Sequence, residues 1–201
     1  MIRGVTGIVL AGGRSRRFGT DKALARWGRG TLVEAVVGVH AAALSAVVVV
    51  TRHPARFAFL RAPNVRVVAD RFREPHALGG LLTGLGACGT PYAFVTGCDM
   101  PFLRPALVRA LATHRSGFDA VVPKFGGRLQ PLCAIYARRC RGTLRRMIRG
   151  GRLRMTGLAD EVRTRVVRGS EIRRADPRGA SFTDLDTRAD WRRARRARPR
   201  A

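Results

Sequence analysis

Lysine is nearly absent from this chain. Of 39 basic residues 37 are arginine, and the two lysines are Lys22 and Lys124. Acidic residues number 13, which leaves a formal net charge of +26. Cysteines number four (Cys88, Cys98, Cys133, Cys140), none in CxxC spacing, which argues against a zinc ribbon or a disulfide framework and for buried free thiols. The four histidines (His40, His53, His76, His114) are scattered and suggest no metal cluster; His53 and His76 read as surface residues. No apolar run approaches the roughly 20 residues of a membrane span. Met1–Val5 enters a strand at once, which predicts no signal peptide and a cytoplasmic protein. Internal repeats and Pro/Gly/Ser-rich linkers are also missing, so one domain over 1–201 is expected.

A charge of +26 invites a nucleic-acid reading. The arginines, however, are spread along the whole chain, and no helix-turn-helix, RRM or zinc-finger pattern is found. Such a spread indicates a pervasive coding preference for arginine. A lysine that survives it is informative, because a compact ammonium and a planar guanidinium are not interchangeable. The hydrophobic content of 46% supports a folded core in spite of the charge.

Lys22 closes the most informative stretch, Leu10 to Lys22, which follows the apolar run Gly7–Leu10. A buried strand there enters a loop with Gly12 and Gly13, then Arg14, Arg16 and Arg17, then Lys22. Glycines let the backbone turn sharply and present N–H groups to an anion. Cations on both sides of the bend suit a polyphosphate and its leaving pyrophosphate. The spacing is neither GxxxxGK[ST] nor GxGxxG.

Short β-branched runs at Gly7–Leu10, Ala46–Thr51, Val65–Ala69, Tyr92–Thr96 and Asp119–Pro123 read as buried strands. Helical patterns lie between and after them, at Thr31–Leu44, Leu78–Cys88, Arg104–His114 and Arg138–Arg149. This alternation predicts a mostly parallel sheet covered on both faces. Val162–Val167 reads as a further strand, Ser181–Leu185 as a short extended piece, and a basic helix or tail follows from about Thr187. That tail reads as a solvated helix, with contact to an acidic partner as the alternative.

In open parallel sheets, ligands bind beyond the carboxyl ends of the strands. Asp70 ends the Val65–Ala69 run and Asp99 follows Tyr92–Thr96, so both belong at the edge that carries the glycine loop. A carboxylate there can hold Mg²⁺ or bond a base or ribose; helix capping is the plain alternative.

Residues 10–24, LAGGRSRRFGTDKAL, resemble the LAGGxSxRMGxDKAL signature of the molybdenum cofactor guanylyltransferases, with Phe18 for methionine. Cys98-Asp99-Met100-Pro101-Phe102 resembles that family's CDxPF segment, and Gly127-Arg128 through Tyr136 its GRxxPLxALY segment, which alone reads as a turn and an apolar strand. Phe182-Thr183-Asp184-Leu185-Asp186-Thr187 is similar to its FxNxNT stretch, with aspartate for asparagine twice. The resemblance implies a three-layer α/β/α Rossmann-like nucleotidyltransferase fold. It implies transfer of GMP from GTP to molybdenum-bearing molybdopterin, with release of pyrophosphate. Nucleotide contacts map onto Leu10, Ala11, Gly12, Gly13, Lys22, Asp70 and Asp99, and onto Thr51 where the family has asparagine. Mg²⁺ maps onto Asp99, and Arg17 and Lys22 map onto the departing charge. Arg128, Asp184 and Asp186 map to the pterin end, where the change to aspartate adds a metal-ligating carboxylate or makes a capped helix start at Asp186 or Thr187. Molybdoenzymes or cofactor-biosynthesis proteins are the implied protein partners. LAGG with DK favours guanine; the two aspartates lean toward the sister cytidylyltransferases. A basic nucleic-acid-binding protein and a non-catalytic nucleotide-binding homologue are the rivals. The intact glycine loop, Lys22 and Asp99 speak against the second.

Overall fold

A computed structural model of the chain describes residues 1–12, 21–70, 72, 74 and 76–196. The strand β1 (Val5–Leu10) is followed by a 3-10 turn at Lys22–Leu24 and a small hairpin, β2 (Arg26–Trp27) and β3 (Gly30–Thr31). Helix α1 (Leu32–Ala43) then leads to β4 (Val47–Thr51) and β5 (Val65–Ala69). Helix α2 (Ala77–Ala87), β6 (Tyr92–Gly97) and α3 (Pro105–Thr113) continue the alternation. The second half comprises β7 (Ala120–Phe125), β8 (Arg128–Leu129), β9 (Cys133–Ala137), α4 (Arg141–Arg149), α5 (Leu158–Glu161), β10 (Thr164–Val167), α6 (Ser170–Ala175) and α7 (Arg188–Arg196).

The main sheet has the order β10-β7-β9-β6-β1-β4-β5, with β8 paired to β7. β9 lies antiparallel between β6 and β7, while β6, β1, β4 and β5 are mutually parallel and β10 is parallel to β7. The chain moves outward from β1 to β4 and β5, then returns to β6 on the other side of β1. That reversal makes the crevice between the carboxyl ends of β1 and β6 a topological switch point.

Strand alternation feeds two faces. Ile8, Val48, Val50 and Val95 pack on one face with Leu78, Leu81 and Leu85 of α2 and Leu144 and Met147 of α4. Val9, Val47 and Val49 face Val33, Val36 and Val37 of α1. On that same side, Phe94, Val121 and Ile135 meet Leu107, Val108 and Leu111 of α3. The expected three-layer architecture is therefore observed. α1 starts in a capping box, with Thr31 Oγ1 accepting from Glu34 N and Glu34 Oε2 accepting from Thr31 N at 2.7 Å.

Two local expectations are corrected. Arg138–Cys140 forms a 3-10 turn, and the α-helix starts only at Arg141. The expected extended piece Ser181–Leu185 begins only at Thr183, because Ala180–Phe182 is a 3-10 turn. The cause is Asp176, fully buried, whose carboxylate accepts from Ala180 N at 3.1 Å and Ser181 N at 2.7 Å. A side chain that satisfies two successive N–H groups pulls the backbone out of a strand. The four cysteines are free and buried, as expected. Among the described residues no helix is long and apolar enough to cross a membrane.

Candidate active site at the switch point

Three segments distant in sequence meet at the carboxyl ends of β1 and β6. The first carries Lys22. Asp21 caps the short turn that follows it, its Oδ1 accepting from Ala23 N at 3.2 Å, and its other oxygen pairs with Arg56 at 3.0 Å. Ala23 is buried beneath, so the turn is anchored and Lys22 is held at the cleft.

The second segment is the loop after β6. Cys98 N donates to the Leu10 carbonyl at 3.1 Å, which ties the end of β1 to this loop. Asp99 follows, and its carboxylate folds back over Gly97, where a Cβ would collide with it. Met100 and Leu103 are buried under the loop, and Phe102 meets Trp27 edge-on at 5.5 Å between centroids.

The third segment is Thr183–Thr187. Leu185 N donates to the Asp99 carbonyl at 3.0 Å, and the Leu185 side chain is buried with Trp27 and Leu32. Asp184 and Asp186 flank that anchor. Behind them, α7 docks through Trp191, whose Nε1 donates to the Arg26 carbonyl at 3.2 Å. Thr187 starts this helix: its Oγ1 accepts from Asp190 N at 3.1 Å, and its N–H donates to Asp190 Oδ2 at 2.9 Å. The capped start is thus at Thr187, one of the two positions expected, and not at Asp184 or Asp186.

Lys22 Nζ lies 2.7 Å from Asp99 Oδ2 and 3.2 Å from Asp186 Oδ1, so one ammonium joins all three segments. Its side chain is 13% exposed, against 61% for Asp186. Burial alone would lower the Lys22 ammonium; Asp99 and then Asp186 outweigh it and hold it above its ordinary value. Asp184 keeps much of its surface open, yet loss of surrounding water raises its carboxyl to about 6. The charges of Asp99 and Asp186 push the same way and Lys22 opposes them. Two anionic oxygens directed at one point form a hard donor set suited to a small divalent cation. Among the described residues no group of three His, Cys, Asp or Glu is placed to hold a metal. Any such ion would complete its shell with water or substrate oxygens, as Mg²⁺ usually does.

The other predicted residues fall as follows. Leu10, Ala11 and Gly12 leave β1 at this edge, with Ala11 N bonded to the Val50 carbonyl at 2.8 Å. Asp70 Oδ1 accepts from Phe72 N at 3.2 Å and from the Thr83 hydroxyl at 3.3 Å, while Oδ2 is 4.0 Å from where a Gly12 Cβ would stand. Asp70 is not the cap of α2; that is His76, whose Nδ1 accepts from Gly79 N at 3.0 Å. His76 is therefore more than the surface residue expected. Thr51 reaches the same sheet edge, but it is buried and its hydroxyl oxygen accepts from His53 N at 3.3 Å. Arg128 lies on the exposed β7–β8 hairpin, turned by Gly126 and Gly127 at positive φ. Gly13 and Arg17 lie outside the described residues.

Sequence reasoning missed Leu185, Thr83 and Asp176. For Asp176 a signal exists in Asp176-Pro177-Arg178-Gly179, a turn composition that places a carboxylate near free N–H groups. Cys98 adjoins the site, but burial raises its thiol far above the usual range, so it offers no thiolate nucleophile. A polar cleft of about 410 Å³ opens at the opposite, amino edge of the sheet, between Asp119, Arg139, Thr143 and Arg163. Arg139 pairs there with Asp119, and Glu161 of its lining pairs with Arg152.

The sequence of residues 7–163 matches the MobA-like NTP transferase domain. The chain belongs to that family. Across the MobA-like family, it is 32% identical over 195 residues to a molybdenum cofactor guanylyltransferase of Desulfosudis oleivorans, covering 96% of this chain and 95% of the relative. It is 39% identical over 193 residues to a probable molybdenum cofactor guanylyltransferase of Chloroflexus aggregans, covering 92% and 91%. The crystal structure of molybdopterin-guanine dinucleotide biosynthesis protein A from Archaeoglobus fulgidus superimposes with a TM-score of 0.82 at 25% identity, covering 95% of this chain and 97% of that one. A MobA-like NTP transferase is a nucleotidyltransferase, and the switch-point cleft is where Lys22, Asp99 and Asp186 meet.

Proposed function

We propose that the protein transfers GMP from GTP to the terminal phosphate of molybdenum-bearing molybdopterin. The observation that carries this reading is the junction of Lys22, Asp99 and Asp186 at the switch point, beside the Leu10–Gly12 exit of β1. Full-length relatives named as molybdenum cofactor guanylyltransferases support the choice of substrates.

A phosphate oxygen of the pterin attacks the α-phosphorus of GTP. A new P–O bond forms there, the bond from α-phosphorus to the bridging oxygen breaks, and that oxygen's electron pair leaves with pyrophosphate. No covalent intermediate on the protein is needed, and the two neighbouring candidates, Cys98 and Cys133, are buried thiols. The protein contributes position and charge. Gly12 gives the phosphate chain close access to backbone. Asp70, held by the Thr83 hydroxyl, would accept from a donor on the nucleoside. Lys22, with Arg17 from the glycine loop, offsets charge on the departing pyrophosphate. Asp99, with Asp186 beside it, would hold Mg²⁺, which would supply charge neutralisation at the reacting phosphates. Arg128 and the Asp184–Asp186 segment border the acceptor end. The four free cysteines agree with a reducing, cytoplasmic setting.

Thermal shift with GTP, CTP, ATP and UTP in Mg²⁺ tests the reading, since a ligand that binds only the folded state raises apparent stability by mass action. GTP should give the largest rise at equal concentration. The cytidylyltransferase reading has one observation in its favour, the aspartates at 184 and 186, and a larger rise with CTP would select it.

A further inference from the structure

Lys22 stands where a cation is wanted. Its ammonium is in contact with Asp99 at 2.7 Å and Asp186 at 3.2 Å, and these are the two carboxylates of the hard donor set. Asp99 is anchored by β6 and the Gly97 fold-back; Asp186 is anchored by Leu185, bonded to the Asp99 carbonyl at 3.0 Å. The two acids are thus held together by the backbone and not only by the lysine between them. A third acid, Asp184, adds to the negative field at the same place. Such a cluster needs a resident positive charge whenever no metal is bound.

We propose that Lys22 is the internal counter-ion of the metal seat: its ammonium occupies the space between Asp99 and Asp186 in the free protein and exchanges with the divalent cation when that cation binds. The exchange releases the lysine toward the phosphates of the incoming nucleotide, so one residue serves both states. This inference rests on the Mg²⁺ seat of the proposed function. Two consequences follow. Free protein binds Mg²⁺ weakly, because the ion must displace an ion pair. Removing the lysine charge strengthens metal binding, the reverse of what is expected of a residue that merely supports the site.

The near absence of lysine makes the exchange observable. With lysine the labelled amino acid, the side-chain NMR spectrum carries two signals, Lys22 and Lys124, and Lys124→Arg assigns them. Titration with Mg²⁺, without nucleotide, should shift the Lys22 signal saturably and leave that of Lys124, exposed on β7, in place. A Lys22 signal unmoved throughout, or both signals drifting together, overturns the proposal. In parallel, Mn²⁺ binding read by electron paramagnetic resonance should tighten about tenfold in Lys22→Met, since a unit charge adjoining the seat is removed. The gain should vanish in Lys22→Met/Asp186→Asn. Equal or weaker binding by Lys22→Met, or a gain that survives the loss of Asp186, is the contrary result. If Lys22→Met does not fold, the lysine titration on wild type decides alone. Neither measurement contains nucleotide or pterin, so a protein that turns out to prefer CTP leaves the result standing.

Discussion

The backbone N–H of Leu185 donates to the carbonyl oxygen of Asp99 at 3.0 Å, across 86 positions of sequence. This bond carries the C-terminal segment to the metal-side loop and sets Asp184 and Asp186 on either side of it. The side chain beneath it is 1% exposed.

Leu185→Ala should therefore act on stability and activity together. Truncating a buried leucine costs about 2–5 kcal/mol, by lost burial and the cavity left behind. Thermal unfolding should show a loss in that range. Transferase kcat/KM should fall beyond the unfolded fraction, because Asp186 loses its registration against Asp99. A variant with the stability loss but wild-type kcat/KM would show that the segment does not position the site.

Gly97 separates position from stability more cleanly. It ends β6 with ordinary backbone angles, and a Cβ there would meet the end of the Asp99 side chain rather than packed backbone. Gly97→Ala should thus leave the melting temperature within a few degrees and swing the Asp99 carboxylate away from Lys22. The expected loss of turnover is about tenfold or more, which corresponds to about 1.4 kcal/mol of transition-state stabilisation. Comparing melting and turnover on the same preparation checks it, and full turnover would mean that Asp99 acts from another rotamer.

Much of this site was legible in the sequence, for reasons that differ between residues. The runs Ala46–Thr51 and Val65–Ala69 became β4 and β5 nearly to the residue, because continuous β-branched segments between helices have few other uses. Asp99 and Lys22 stood out because acids and lysines are scarce here. The insertion of β9 antiparallel between β6 and β7 was not legible, since strand order depends on tertiary pairing rather than local pattern. Nor was the fate of His40. It is fully buried in α1, bonded through Nε2 to the Thr96 hydroxyl at 2.9 Å, and fits because Gly7 opposite has no Cβ. Burial lowers it to about 3, so it stays neutral. The contact of Asp186 with Lys22 spans 164 positions and rests on the Asp176 turn and the Leu185 anchor, neither of which has a periodic signature.

Asp184 predicts a pH dependence. Its carboxyl is raised from 3.8 to about 6, chiefly by lost solvation. The folded protein thus holds a proton that the unfolded chain has released between these values, so stability falls as pH rises through that window. Above about pH 6 the penalty is complete, and below about pH 4 it is absent. Asp184→Asn removes it. Discounted for the exposure of this side chain, the gain at pH 7.5 should be ~1 kcal/mol. Unfolding in chelator at pH 7.5 and near pH 4 checks the sign: the variant should be the more stable at the higher pH and equal to wild type at the lower. Equal stability at both would mean that solvent screens the carboxyl fully.

Lys22→Arg tests whether the surviving lysine is chemically required. Arginine is otherwise the basic residue of this chain, so tolerance at position 22 would make Lys22 a chance survivor. The geometry argues against tolerance. The ammonium, itself mostly buried, donates to Asp99 at 2.7 Å and to Asp186 at 3.2 Å, an arrangement suited to a point charge with rotatable donors. A guanidinium is longer and planar and prefers to pair bidentately with one carboxylate. It would hold Asp99 or Asp186 in a fork and would not turn readily toward a phosphate. Turnover of Lys22→Arg should fall about tenfold or more, ~1.4 kcal/mol in the barrier. The melting temperature should change little, because the positive charge between the acids is kept. Steady-state kinetics under saturating GTP and Mg²⁺ provide the measurement. Wild-type turnover in this variant would show that any cation serves at this position, and that the scarcity of lysine elsewhere carries no functional information.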